Sequence, residues 1–244
     1  MKRMLLTISY DGTDFHGWQV QPNGITVQEI LQNSLEDMLG VRPDVTGCSR
    51  TDAGVHAKMF CCHFDCDGRV PTRAFVRGLN SLLPKSIAVL SCKEVDRDFH
   101  ARYSSKGKTY VYKILNSCVP DPFIMRYVWQ IGRGLDLDKI NSFCREIIGT
   151  HDFSGFSSSG RSVTDTVRTV QNCSCVRDGD MLLFEITADG FLYNMVRIIV
   201  GTAIGVSDGK INISDINRIF NSGDRSLAGI TAPPQGLFLY KVLY

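Results

Sequence analysis

The strongest constraint on this chain is the order of its apolar periodicities, which runs through one pattern and then repeats it. Residues 4–10 form a short apolar segment that ends at the turn signal Asp11-Gly12-Thr13 and read as a strand. Thr26-Val27-Gln28-Glu29 is a capping box, with Thr26 at the N-cap and Glu29 three residues on. It opens a helix that carries Val27, Ile30, Leu31, Leu35, Met38 and Leu39 on one stripe and closes at Gly40. Residues 45–49 and 57–64 read as strands, separated by the polar turn Arg50-Thr51-Asp52-Ala53-Gly54-Val55-His56. A second helix over 72–83 stops at Pro84, and 87–95 reads as a further strand. The first half is therefore β-α-β-β-α-β, the split βαβ plan.

The second half gives the same order with one helix added. Residues 109–115 alternate, with Tyr110, Tyr112 and Ile114 on one face and Val111, Lys113 and Leu115 on the other. A helix over 138–148 ends at Gly149. Segments 167–176 and 181–187 form a hairpin across Arg177-Asp178-Gly179-Asp180. Helices over 191–206 and 214–221 precede a closing strand over 237–243. The expected fold is α+β: two similar split-βαβ (ferredoxin-like) halves, residues 1–105 and 106–244, with antiparallel sheets joined into one. The Gly- and Ser-rich residues 155–162 are a candidate mobile loop in the second half.

Net charge is +2, which looks indifferent to polyanions until it is located. Residues 69–113 hold ten basic residues against three acidic ones, a local +7 that leaves −5 on the rest. Such a block suits a polyanion site or a solvated charged face. A hydrophobic content of 43% excludes disorder as the main state. No run reaches the roughly 18 apolar residues of a membrane span; the longest, around 195–204, is broken by Arg197 and Gly201. The basic, then apolar, N-terminus reaches Asp11 without a small-residue cleavage site, so a cytoplasmic protein with no membrane contact is expected. Nine cysteines without a secretory signal imply reduced thiols.

Three residues are candidates for chemistry. Asp52 sits on a short turn with small neighbours, Ala53 and Gly54, that would let a substrate approach its carboxylate; a carboxylate can serve as nucleophile or base at a sugar carbon. The bland alternative is an Asx turn. Arg197 lies inside an apolar helix, where a charge either reaches solvent or meets a carboxylate; if it meets Asp52, it holds that group ionised. Tyr110, beside Lys106 and Lys108, could stack on a base while the lysines meet phosphates, or could be an ordinary strand aromatic. Cys61-Cys62-His63 with Cys66, and Cys173 with Cys175, lack zinc spacing, since neighbours on a strand point to opposite faces. The stretch from Gly205 to Lys210 is one residue short of a P-loop, and Ile211 stands where Ser or Thr is needed. Asp11-Gly12-Thr13 suggests an aspartyl-phosphate phosphatase, but that nucleophile would fall at Ser9.

These segments together resemble the TruA-type tRNA pseudouridine synthases. The resemblance rests first on Gly47-Cys48-Ser49-Arg50-Thr51-Asp52-Ala53-Gly54-Val55-His56-Ala57. Tyr10-Asp11-Gly12-Thr13, Gly17-Trp18-Gln19, Thr26-Val27-Gln28-Glu29, Arg77-Gly78-Leu79-Asn80 and Phe99-His100-Ala101-Arg102 support it. So do Lys108-Thr109-Tyr110-Val111-Tyr112, Asp152-Phe153, Phe191-Leu192-Tyr193-Asn194-Met195-Val196-Arg197 and Gly236-Leu237-Phe238-Leu239. The resemblance implies a homodimer that isomerises uridine to pseudouridine at positions 38, 39 and 40 of the tRNA anticodon stem-loop, without metal or cofactor, in a cleft between the two halves. It implies Asp52 as the catalytic carboxylate, Tyr110 as the residue that stacks on the target base and Arg197 as the partner of Asp52. Leu237 would line the uracil pocket, and Arg50 would help hold the base extruded. Gly107, Lys108 and the many cysteines depart from the family's usual pattern without touching those residues. A non-catalytic RNA-binding module and an Asp11 phosphatase are the competing functions.

Overall fold

The computed structural model describes residues 1–160 and 163–244. In chain order the elements are β1 (Lys2–Tyr10), α1 (Val27–Leu39), β2 (Thr46–Gly47), β3 (His56–Cys66), α2 (Thr72–Leu82), β4 (Ile87–Val95) and β5 (Gly107–Leu115). There follow β6 (Trp129–Gln130), α3 (Leu137–Ile147), β7 (Gly149–Asp152), β8 (Val167–Asp178), β9 (Met181–Ala188), α4 (Met195–Ser207), α5 (Ile216–Ser222) and β10 (Leu237–Leu243). Contacts divide the chain into two units: Met1–Lys106 with Phe238–Tyr244, and Gly107–Leu237.

In the first unit β1 lies between β4 and β3, antiparallel to both, with Leu6 opposite Cys92 on one side and Cys62 on the other. The far edge of β3 is shared: β2 pairs antiparallel at Thr46 and Gly47, and β10 pairs parallel at Phe238 and Leu239. Met4, Leu6, Ile8 and Tyr10 alternate along β1 and are all buried, as a half-covered strand requires. Phe64, the partner of Met4, meets Phe75 of α2 edge to face at 5.4 Å, so the helices cover this face. The Thr26 N-cap forms as expected: Thr26 Oγ1 accepts the Glu29 N–H at 3.4 Å. At the other end of α1, Gly40 takes a left-handed conformation and its N–H donates to Glu36 O.

In the second unit β5, β9, β8 and β7 form an antiparallel run in that order, with β6 parallel to β5. Asn141 ties α3 to this sheet, donating from Nδ2 to Cys175 O and accepting the Cys175 N–H, both at 2.9 Å. Ten residues of α4 are buried. Asp178 pairs with Met181, so the hairpin closes over two residues, Gly179 and Asp180.

The mixed α+β class and the split βαβ order are present, and the differences from expectation are local. The strand expected over 45–49 is only the two-residue β2. Short β6 and β7 carry no sequence alternation that announces them. The helix expected from residue 191 begins at Met195, because Asn194 adopts a left-handed conformation with φ 60°. The added helix starts as a 3-10 turn, Ile213–Asp215, before α5. Of the Gly- and Ser-rich 155–162 segment, Phe156 and Ser157 are buried; positions 161 and 162 lie outside the described residues. All nine cysteines are free thiols. No helix among the described residues is long and apolar enough to cross a membrane.

Candidate active site

The Asp52 loop is held by the segment that follows β1. Residues 15–18 run beside it: the Gly54 N–H donates to Phe15 O at 3.3 Å, and the Trp18 N–H donates to Thr51 O at 3.1 Å. Gly17 lies between these bonds with φ +83°, and a Cβ there would meet Thr51 O at 2.5 Å and Asp52 C at 3.2 Å. Only glycine permits both the backbone conformation and this approach. Gly12 makes a second close approach, since a Cβ on it would lie 2.0 Å from Val55 O. The loop also turns on itself, with the Val55 N–H donating to Asp52 O at 3.2 Å and Gly54 at φ 76°. Side chains complete the frame: the Tyr10 and Thr51 hydroxyls are bonded at 2.8 Å, and Trp18 packs on Phe60 with centroids 4.1 Å apart.

Asp52 is half-buried on this frame, and Arg50, two residues earlier, is exposed. Asp11, the alternative nucleophile, caps its own turn by accepting from the Thr13 N–H at 3.0 Å, and stands 3.2 Å from Nδ1 of buried His56. That Nδ1 accepts the Gly12 N–H at 3.0 Å. The His56 ring stacks on Phe238 at 4.6 Å, and Phe238 pairs with His56 in register. Phe238 and Leu239 of β10 therefore lie beside the strand that leaves the Asp52 loop. Leu237 is buried and follows a turn, Pro234–Gly236, which Tyr112 anchors by donating its hydroxyl to Pro233 O at 2.7 Å. Burial pushes the pKa of that hydroxyl up, with the Arg197 charge opposing.

Tyr110 lies on β5 opposite Ile186, is 6% exposed, and meets Phe191 edge to face at 5.0 Å. Arg197 is half-buried on α4. Its Nε donates to Ala232 O at 2.7 Å, and its Nη1 donates to Asn194 Oδ1 at 2.8 Å. Ala232 is delivered there by close packing: a Cβ on Gly201 would lie 1.8 Å from Ile230 O, and one on Gly229 would meet Gly201 C at 2.5 Å. The Gly229 N–H also donates to Thr202 Oγ1 at 2.9 Å. Asp52 and Arg50 thus belong to the first unit, and Tyr110 and Arg197 to the second.

The basic block is only partly a surface. Arg69, Arg73, Arg77, Lys85, Lys93, Arg97 and Lys106 are exposed, whereas Lys108 is buried within β5 like Tyr110. Arg69 is already paired with Asp67. Cys61, Cys62 and His63 are consecutive in β3 and Cys66 ends it, and no group of three side chains able to hold a metal ion occurs among the described residues. Burial raises the pKa of the Cys62 thiol well above its ordinary value. Sequence patterning missed Gly12, Gly17 and Asn194; only the turn signal at Asp11-Gly12-Thr13 hinted at the first.

A family model described as tRNA pseudouridine synthase matches residues 6–104 and 143–244. The chain belongs to the tRNA pseudouridine synthase family. Similar relatives include tRNA pseudouridine synthase A of Thermoanaerobacter sp. (strain X514) and of Clostridium acetobutylicum, each 45% identical over 244 residues and covering 100% of both chains. That of Citrifermentans bemidjiense is 44% identical over 245 residues, covering 100% of this chain and 98% of its own. Among solved structures, the archaeal box H/ACA sRNP Nop10-Cbf5 complex aligns over 83% of this chain and 44% of that one, at 16% identity and TM-score 0.37, too slight to carry an argument. As a tRNA pseudouridine synthase, the protein is an isomerase that converts uridine in tRNA to pseudouridine. Asp52, Arg197 and Leu237 fall inside the matched segments, and Tyr110 falls between them.

Proposed function

We propose that this synthase acts on uridines 38, 39 and 40 of the tRNA anticodon stem-loop, as a cytoplasmic homodimer without metal or cofactor, with Asp52 as its catalytic carboxylate. The reaction breaks the N1–C1′ bond, turns the uracil, joins C5 to C1′ and transfers the C5 hydrogen away as a proton while N1 gains one. Nothing is oxidised or reduced. A stacked base cannot be reached, so the nucleotide is flipped out at a cost of a few kcal/mol. Tyr110 offsets part of that cost by stacking on the base, worth about 1–3 kcal/mol. Because Tyr110 is 6% exposed, a base must be inserted to reach it; contact at the outer surface would not suffice. Leu237 lines the uracil pocket, Arg50 holds the base extruded, and Arg197 is the counter-charge that keeps Asp52 ionised.

The observation that supports this reading most is the build of the Asp52 loop. Two glycines, two backbone bonds and a hydroxyl pair fix its backbone, while its own neighbours are small. An Asx turn needs no such frame; a carboxylate that must meet a reacting atom does. A-form RNA hides its major groove, so recognition by shape and backbone suits action at three neighbouring positions. Incubating the purified protein with unmodified tRNA and mapping pseudouridine tests the assignment. Product at 38, 39 and 40 is expected; product only elsewhere in the tRNA overturns the site assignment.

A further inference from the structure

We propose that Asn194 is a positioning residue for the reaction: its carboxamide bridges Ser158 and the Arg197 guanidinium and fixes where that guanidinium points. The inference rests on the reading of Arg197 as the counter-charge of the catalytic carboxylate, and deepens it.

Three observations carry it. Asn194 is the one non-glycine residue with positive φ, at 60°, among the described residues. Such a conformation costs an ordinary L residue about 1–2 kcal/mol, asparagine less, and tends to persist where the surroundings hold it. Both ends of its side chain are used: Oδ1 accepts from Arg197 Nη1 at 2.8 Å, and Nδ2 donates to Ser158 Oγ at 2.9 Å. Ser158 is itself fixed, because its N–H donates to Tyr193 O at 3.1 Å and it follows the buried Phe156 and Ser157. The bridge therefore runs from an anchored segment to the guanidinium, and Ala232 O holds Nε from the opposite end.

The left-handed backbone is what makes the bridge possible. The Asn194 C=O accepts the Ile198 N–H at 3.0 Å, the first turn of α4, yet its side chain caps no helical N–H. An asparagine at a helix start ordinarily turns its side chain back onto the helix. Here the carboxamide is directed to Arg197 instead, three residues along the same helix face. The capping stabilisation of α4 is given up for a fixed guanidinium.

Asn194→Gly is the informative variant. Glycine adopts the left-handed conformation freely, so the backbone is kept and only the carboxamide is lost. Tritium release from tRNA labelled at uridine C5 reads turnover. The expected result is kcat lowered about 10- to 30-fold, with KM for tRNA within twofold of wild type. Wild-type kcat in Asn194→Gly overturns the proposal, because the backbone conformation alone would then matter. A raised KM with unchanged kcat also overturns it, since Asn194 would then be an RNA contact. If Asn194→Gly fails to fold, Ser158→Ala decides: a two- to fivefold lower kcat at unchanged KM is expected, and unchanged kcat refutes the bridge. Arg197→Met separates the two levels. If it retains activity, the reading of Arg197 fails; if it is inactive while Asn194→Gly is normal, only the Asn194 proposal fails.

Discussion

Replacing Gly17 by alanine should damage the enzyme far more than its single methyl group suggests. At φ +83°, a Cβ meets strain of about 1–2 kcal/mol from the backbone alone. The same Cβ would lie 2.5 Å from Thr51 O and 3.2 Å from Asp52 C, both backbone atoms, so no side chain can swing away to relieve it. Overpacking against fixed atoms adds about 1–3 kcal/mol. The expected loss is therefore about 2–5 kcal/mol of stability, with the remaining strain relieved by moving the Asp52 loop. A shift of about 1 Å at a reacting group costs on the order of 100-fold in rate. Gly40→Ala is the matched control. It has φ +71° at the C-cap of α1, with nothing within 4 Å of its Cβ position, so it should lose only about 1–2 kcal/mol and keep its turnover. Urea unfolding and single-turnover tritium release on both variants give the two differences. Equal stability losses, or wild-type turnover in Gly17→Ala, would refute the idea that this glycine frames the Asp52 loop.

Three further outcomes are expected. Burial, with the Arg3 and His100 charges, lowers the pKa of His63 from its ordinary 6.5 to about 4, and Nδ1 accepts the Ala101 N–H at 3.1 Å. The unfolded chain therefore takes up a proton that the folded one refuses, so stability should be level above about pH 6.5 and fall as pH drops toward 4; His63→Asn should flatten that slope in urea titrations, and an unchanged slope would contradict it. Tyr110→Ala should slow pseudouridine formation about 5- to 150-fold, the equivalent of one lost stacking contact, and near-normal single-turnover rates would remove the stacking role. Reversing Arg73 and Arg77, exposed on α2 and four residues apart, should weaken tRNA binding and lower the log–log salt slope by about 1.5, whereas reversing Glu36 and Asp37 on α1 should leave the slope unchanged.

What was legible in the sequence was whatever short-range chemistry decides. The Thr26 N-cap and the Gly40 C-cap each act within one helix and form where expected, and Val27, Leu31 and Leu35 of the α1 stripe are buried. The Asp52 turn was recognisable because Gly54 and its small neighbours are local signals. What was not legible depends on distant partners. The apolar run from Phe191 looked like the start of a helix, but Phe191 meets Tyr110 and Asn194 is bonded to Ser158, so the helix waits until Met195. Lys108, expected at phosphates because a lysine is ordinarily exposed, shares the strand face of Tyr110 and Tyr112 in β5, where eight of nine residues are buried. Gly12 reads as a turn residue and Gly17 carries no local signal, and their approach to residues 34 to 43 positions away becomes visible only once the chain is folded.

The most direct measurement compares wild type with Asp52→Ala on the same unmodified tRNA, following pseudouridine by mapping and tRNA affinity by titration. Loss of pseudouridine at 38, 39 and 40 with affinity within a fewfold of wild type is expected of a catalytic carboxylate. Pseudouridine formed at the wild-type rate by purified Asp52→Ala would contradict it.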